Sequence, residues 1–506
     1  MSVQAPQPPA AITVRMYRGL LGDCFLLTQT LPDRPPYRAL IDCGVLQCIG
    51  AAGSKPATKA ATVHMQDVAT SLAADTGGVL DLVVATHEHY DHLSGFLLAF
   101  DTLKALTIKK VWMAWTENPT DSQANQFRKT TDSALSALAG AVKLTALAGD
   151  DRLESIRDLL QFYGDLDDIA GLGLTGKAPQ ALDKSPRSCA GALDWLKLKA
   201  PDQVSYLEPG EVVKFGLDDS LTAYVLGPPR TMARLKQLDP SAGAGREVYL
   251  TKPDEVAALQ STLKIHQGQE TIVANDLPFS TRFSLGKDET AGFSTAVLYD
   301  DPQAKDRRID AEWLGSAETL ALKIDGDVNN TSLALAIEAP GGDVLLFPAD
   351  AQVGNWLSWH DQTYPAKPAK PDDPVRSAPD ILSRVVFYKV GHHASHNATA
   401  RAQGLELMTS PHLAAMIPVV ETVAHEQKSK NNPAGWSMPY PDLYARLLAM
   451  TQRRVVRGDG QLADEQAAFQ DSQKFQLSYD GANPDDPLWA ELRLATALPV
   501  EPAAPE

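Results

Sequence analysis

The segment Thr86-His87-Glu88-His89-Tyr90-Asp91-His92 places three imidazoles and the carboxylate of Asp91 within six consecutive residues. Imidazole nitrogen and carboxylate oxygen are the usual donors for zinc and similar divalent ions. Six of the chain's eleven histidines (His87, His89, His92, His392, His393, His396) sit in this segment and in one other, Lys389 to His396. Histidines scattered over a solvated surface do not cluster in this way, so the pattern points to a metal centre. The remaining histidines, His64, His266, His360, His412 and His425, have no partner visible in the sequence.

Four sites share one layout, an apolar run whose carboxyl end delivers polar residues. Asp42 follows Ala39-Leu40-Ile41, and His87 to His92 follow Leu82-Val83-Val84-Ala85. Asp350 follows Leu345-Leu346-Phe347-Pro348-Ala349, and His392 with His393 follow Val385 to Gly391. In layered α/β folds, sites gather at the carboxyl ends of strands, so the four can converge. Further strand-like runs are Ile12 to Met16, Cys24 to Thr28, Val111 to Trp115, Glu211 to Phe215, Leu221 to Leu226 and Ser332 to Glu338. Pro340-Gly341-Gly342 predicts a hairpin before Val344 to Pro348. Gly95 to Leu106 and much of Ser122 to Trp195 read as helical. The expected architecture is an α/β core of two sheets covered by helices. Residues 1–11 read as a disordered start and 499–506 as a tail. Between them, 12–498 form one domain with insertions at about 116–202 and 230–320.

A formal charge of −17 over 506 residues argues against a generic polyanion binder, whose affinity comes from a basic surface. It leaves room for an enzyme that takes a phosphate ester into a metal site, because the ions supply the positive charge. The start of the chain carries neither the basic nor the apolar region of a signal peptide, and no apolar run is long enough to span a bilayer. A cytoplasmic location and no membrane partner are therefore expected. The four cysteines, Cys24, Cys43, Cys48 and Cys189, lack finger or ribbon spacing and read as buried free thiols. Trp112, Trp115, Trp356 and Trp359 read as packing, and Lys428, Lys430, Arg453, Arg454 and Arg457 as a solvated basic face.

This arrangement resembles the metallo-β-lactamase superfamily, whose His-x-His-x-Asp-His signature matches His87, His89, Asp91 and His92. The chain is most similar to the soluble hydrolase domain of ComEC-type proteins and their stand-alone relatives. Gly19 to Cys24, Leu40 to Gly44, Asn329 to Leu333, Leu345 to Asp350 and Lys389 to Ser395 carry that likeness. The resemblance implies an αββα sandwich with large helical insertions. It also implies one or two divalent ions per chain, zinc first and manganese second. His87 and His89 would bind a first ion, and Asp91, His92 and His392 a second, with His393 the other candidate for the last place. Asp350 would bridge the ions and Asp42 would orient ligands from behind. One departure matters: many superfamily members supply the first ion with a further histidine, where this chain reads Asn329-Asn330-Thr331-Ser332. Weak binding, an oxygen donor, or an ion that arrives with substrate all stay open there.

The implied chemistry is hydrolysis by hydroxide formed from water on the ions, with Asp91, Asp42 and His396 as catalytic candidates. Lys389, Ser395, His396 and Asn397 are candidates for bonding a phosphate or protonating a leaving group. The expected substrate is a phosphodiester in nucleic acid or a nucleotide. Hydrolysis of a carboxylic ester, lactone or amide is the alternative. A third reading is a regulatory protein with a vestigial metal site, whose insertions bind a protein partner.

Overall fold

The computed structural model describes residues 11–46 apart from 20, 55–145, most of 156–164, 181–237, 321–427 apart from 322, 369 and 371–373, and 434–495. The expectations for the N-terminal start, for most of the 230–320 insertion, for Cys48, His266, Lys428 and Lys430, and for the tail lie outside the described residues.

The strands are β1 (Ala11–Tyr17), β2 (Cys24–Thr30), β3 (Tyr37–Cys43), β4 (Val79–Leu80), β5 (Leu82–Ala85), β6 (Thr107–Ile108), β7 (Val111–Ala114), β8 (Val204–Leu207), β9 (Val212–Phe215), β10 (Leu221–Gly227), β11 (Ala334–Glu338), β12 (Val344–Phe347), β13 (Thr363–Tyr364), β14 (Arg376–Ser377), β15 (Val385–Lys389), β16 (Ala414–Ile417), β17 (Val455–Arg457), β18 (Phe475–Tyr479) and β19 (Trp489–Ala495). Eight of them form one sheet in the order β18-β19-β1-β2-β3-β5-β7-β8. Seven form a second in the order β17-β16-β15-β12-β11-β10-β9. Two short pairs, β4 with β6 and β13 with β14, complete the set.

Both sheets change character partway across. In the first, β1, β2 and β3 are antiparallel neighbours, whereas β3, β5, β7 and β8 run parallel. In the second, β9 to β12 are antiparallel, whereas β12, β15, β16 and β17 run parallel. The pairs β3/β5 and β12/β15 mark where the pairing changes from antiparallel to parallel. All four segments expected at the site leave these four strands.

Alternation along the strands sorts the apolar side chains into layers. Val14, Phe25, Ile41, Val84, Leu335 and Phe347 share a core between the two sheets. Leu26, Leu40 and Val83 point the other way, onto Met65, Val68 and Leu72 of the helix Lys55–Thr76. On the outer face of the second sheet, Leu346 and Tyr388 pack with Trp356, Ile381 and Leu447 from helices. The layers thus run helices, sheet, sheet, helices. Strands β5 and β15 are buried along their whole length, as parallel strands covered on both faces must be.

The Pro340-Gly341-Gly342 turn joins β11 to β12 antiparallel, with Gly341 and Gly342 at φ +98° and +91°, a region that side chains disfavour. The four tryptophans expected to pack are fully buried, and Cys24, Cys43 and Cys189 are free buried thiols. One expectation fails: Arg454 is not on a solvated face but donates to the carbonyls of Leu413 and Pro411. Among the described residues, no helix is long and apolar enough to cross a membrane.

Candidate metal centre

Asp91, His92, Asp350 and His393 each turn one ligand atom into a buried space in which all four atoms lie within 4.8 Å of one another. Asp91 and His92 open the short helix Tyr90–Leu93 after β5, Asp350 follows β12, and His393 follows β15. Several of the supporting residues sit in backbone that non-glycine residues rarely adopt. Asp42, Ala349, His392, His393 and Ala394 have φ of 55°, 51°, 45°, 52° and 62°. Such strain gathers where a fold holds side chains for a purpose.

Hydrogen bonds behind the rings settle which nitrogen faces inward. His92 Nδ1 lies 2.8 Å from Asp42 Oδ2, and His393 Nδ1 lies 2.8 Å from the carbonyl of Pro418. A carboxylate and a carbonyl only accept, so both rings carry Nδ1–H and turn Nε2 toward the shared space. His393 Nε2 is 2.8 Å from Asp91 Oδ2, and His92 Nε2 is 3.1 Å from Asp350 Oδ2. Even so, His92 Nε2, Asp91 Oδ1 and Asp350 Oδ2 are buried without a hydrogen-bond partner. Buried polar atoms left open in this way carry a substantial energetic cost, unless something else occupies the space between them. The set of two imidazoles and two carboxylates suits a divalent cation, and the residues present fit one.

Asp42 takes the place behind the ligands. It accepts from the backbone N–H of Thr86 at 2.9 Å, from the Thr86 hydroxyl at 2.7 Å, and from His92 Nδ1. His392 was the expected ligand, but the structure turns His393 into the group instead. His392 donates its backbone N–H to Asp350 Oδ1 at 3.0 Å, while its ring Nδ1 meets Ser395 Oγ at 3.0 Å. Both histidines sit in a backbone turn at positive φ, which sequence alone cannot resolve.

His87 and His89 form a second focus beside this group. His87 Nε2 is 3.1 Å from His89 Nδ1, and the His87 ring is 4.2 Å from that of His92 between centroids. His89 Nε2 faces Tyr163 Oη at 3.2 Å and Asp325 Oδ1 at 3.5 Å.

None of the four expected donors, Lys389, Ser395, His396 and Asn397, is one of the four converging ligands. Lys389 is buried, pairs with Asp23, and reaches Asp350 Oδ1 at 3.4 Å and the Ala349 carbonyl at 3.1 Å. It is a fixed internal charge, not a free donor for a substrate. Ser395 donates to Asn397 Oδ1 at 2.9 Å. His396 is exposed, with its ring 6.2 Å from that of Tyr440.

Charge is distributed unevenly across the two foci. Burial disfavours the charged His92 ring, but Asp350, Asp23, Asp91 and Asp42 outweigh it and hold its pKa well above the ordinary value. His393 is raised likewise, burial being overcome by Asp91 and Asp350. Burial is likewise overcome at Asp91 and Asp350, where the neighbouring cations hold both carboxyls below the usual range. In contrast, burial together with His92 and His89 pushes His87 well below its ordinary value, and burial takes His89 down to about 4. Burial, with Asp91 and Asp350, pushes the Asp325 carboxyl up to about 7.

Asp23, Tyr163 and Asp325 are site residues that sequence reasoning missed. Asp23 lies inside a segment that carried the family likeness, and its place just before β2 was the available signal. Tyr163 lies within the expected 116–202 insertion and is brought in by chain pairing, Cys189 N–H to the Tyr163 carbonyl at 3.1 Å. No family model matches the chain, and no curated protein matches it.

Proposed function

We propose that this chain is a metal-dependent hydrolase of the metallo-β-lactamase type, acting on a phosphodiester. The observation that carries the reading is the set of buried, partnerless ligand atoms on His92, Asp91 and Asp350, converging with His393. The order of the motifs supports the superfamily: Asp42, then His87-x-His89-x-Asp91-His92, then Asp350, then His393, each at a strand's carboxyl end. The layered two-sheet architecture supports it as well.

Asp91, His92, Asp350 and His393 would hold one ion, with His87 and His89 beside it. An ion held by these residues would supply activation of a water and polarisation of the group under attack. The chain's own contribution is orientation. Asp42 and the Pro418 carbonyl fix the tautomers of His92 and His393, and Thr86 ties Asp42 to the His87 segment. Lys389 offsets part of the carboxylate charge beside the ligand group. Phe162 stacks on Trp436 at 5.8 Å between centroids, next to His89.

Turnover of bis(p-nitrophenyl) phosphate against p-nitrophenyl acetate, with zinc or manganese, tests the reading. Metal-dependent hydrolysis of the phosphodiester that Asp91→Ala abolishes is expected. Preferred hydrolysis of the acetate, with no phosphodiester turnover, would overturn the phosphodiesterase assignment.

A further inference from the structure

The hydrogen bonds around His87 and His89 determine which nitrogens carry protons. The Thr86 hydroxyl has one proton, and it is donated to Asp42 Oδ2 at 2.7 Å. Toward His87 Nδ1, 3.1 Å away, that oxygen therefore only accepts. His87 thus carries Nδ1–H and points the lone pair of Nε2 at His89 Nδ1, 3.1 Å away.

On its far side, His89 Nε2 faces the Asp325 carboxylate at 3.5 Å and the Tyr163 hydroxyl at 3.2 Å. Nε2–H on His89, donated to either of these oxygens, is the tautomer that frees Nδ1 toward His87. That tautomer leaves a lone pair on Nδ1, so two lone pairs confront each other at 3.1 Å. Without an ion, Nδ1–H on His89 donates across that gap; with one, the Nε2–H tautomer turns both lone pairs to it. Nitrogen ligands at about 2.0–2.1 Å from a tetrahedral zinc sit roughly 3.3 Å apart, close to the separation seen.

We propose that Asp325, with Tyr163, is a positioning residue for a second divalent ion: it holds His89 through Nε2 so that His89 Nδ1 and His87 Nε2 form a two-nitrogen seat. The inference rests on the metal-centre reading above and deepens it. Asp325 stands on the helical turn over 323–329, four residues before Asn329, where the superfamily's extra histidine is missing. It acts on the ion through a ring and does not replace the absent histidine as a ligand. Tyr163 comes from the 116–202 insertion, and Tyr90 N–H donates to the neighbouring Phe162 carbonyl at 2.7 Å. That insertion and the helical turn before β11 therefore reach the His87–His89 seat from behind, whereas the Asp91–His92–Asp350–His393 group is built by the core strands alone.

Zinc stoichiometry and affinity on the full chain, by equilibrium dialysis with elemental analysis, test this for wild type, Asp325→Ala and Asp325→Glu. Histidine 15N shifts of the zinc form report the His89 tautomer in the same samples. Wild type is expected to take two ions, with Nε2–H on His89. Asp325→Ala should keep one tight ion and weaken the other by about 10- to 100-fold, the range found when a partner behind a metal ligand is removed. Asp325→Glu should restore most of that loss, which a merely structural defect would not allow. Two ions bound to Asp325→Ala with unchanged affinity would overturn the inference and leave the metal centre standing. A single ion in wild type would overturn it too. No ion in wild type would overturn both.

Discussion

Asp42 accepts three hydrogen bonds, and each fixes a different part of the centre: the Thr86 backbone, the Thr86 hydroxyl and the His92 ring. Asp42→Ala is expected to weaken the tighter ion by about 10- to 100-fold while leaving all of its direct ligands in place, as a competition titration against a chelator would show. Unchanged affinity would mean that His92 is held by packing alone. The raised pKa values of His92 and His393 set a sign for pH. Because their surroundings favour the protonated form of both rings when no cation is present, an ion must compete with protons there. Affinity should therefore rise with pH, and zinc binding at pH 7 should release protons, seen as a buffer-dependent enthalpy in calorimetry. Binding without proton release would contradict the charge pattern described. At this scale the sequence was informative about residue type and less so about direction. The choice between His392 and His393 depends on two successive residues at positive φ, and no spacing rule encodes it.

Strand ends bring the residues together, and two contacts between elements hold those ends in register. Lys389 at the end of β15 pairs with Asp23 just before β2, clasping one sheet to the other across the site. Both side chains are about 2% exposed, and removal of one member of such a pair leaves an uncompensated charge. Lys389→Met is expected to lower stability by roughly 3–5 kcal/mol in denaturant unfolding. Asp23→Asn combined with Lys389→Met should cost less than the two single changes added together. Additive costs would show that the pair does not act as a unit. At the other contact, a Cβ on Gly44 would sit 2.3 Å from the Asp91 carbonyl carbon. Gly44→Ala should therefore push β3 and the Tyr90–Leu93 helix apart, lowering stability by about 1–3 kcal/mol together with metal affinity. The strand-end layout was legible because the four runs are short, apolar and closed by polar residues. Asp23, Tyr163 and Asp325 were not, since each reaches the site through tertiary pairing.

Across the described residues, the apolar runs place β1 to β3, β5, β7, β9 to β12 and β15 of the two sheets, while the edge strand β8 was missed. The C-terminal strands β16 to β19 were not anticipated. Leu492 and Leu494 do alternate with Glu491 and Arg493, a period-two signal, but β19 finds its partner in β1 at the opposite end of the chain. Such pairing has no local signature. The formal charge of −17 bears on substrate size. On the proposed phosphodiesterase reading, long duplex DNA would meet a chain of net negative charge that repels it, and a small phosphodiester would not. Hydrolysis of nucleotide-sized substrates should accordingly outpace that of long duplexes, most clearly at low salt. The most direct test of the central claim is metal content: ions retained per chain after dialysis against micromolar zinc, for wild type, His393→Ala and His392→Ala. Wild type should retain at least one ion, His393→Ala should lose it, and His392→Ala should keep it. A wild-type chain that comes back free of metal would contradict the account.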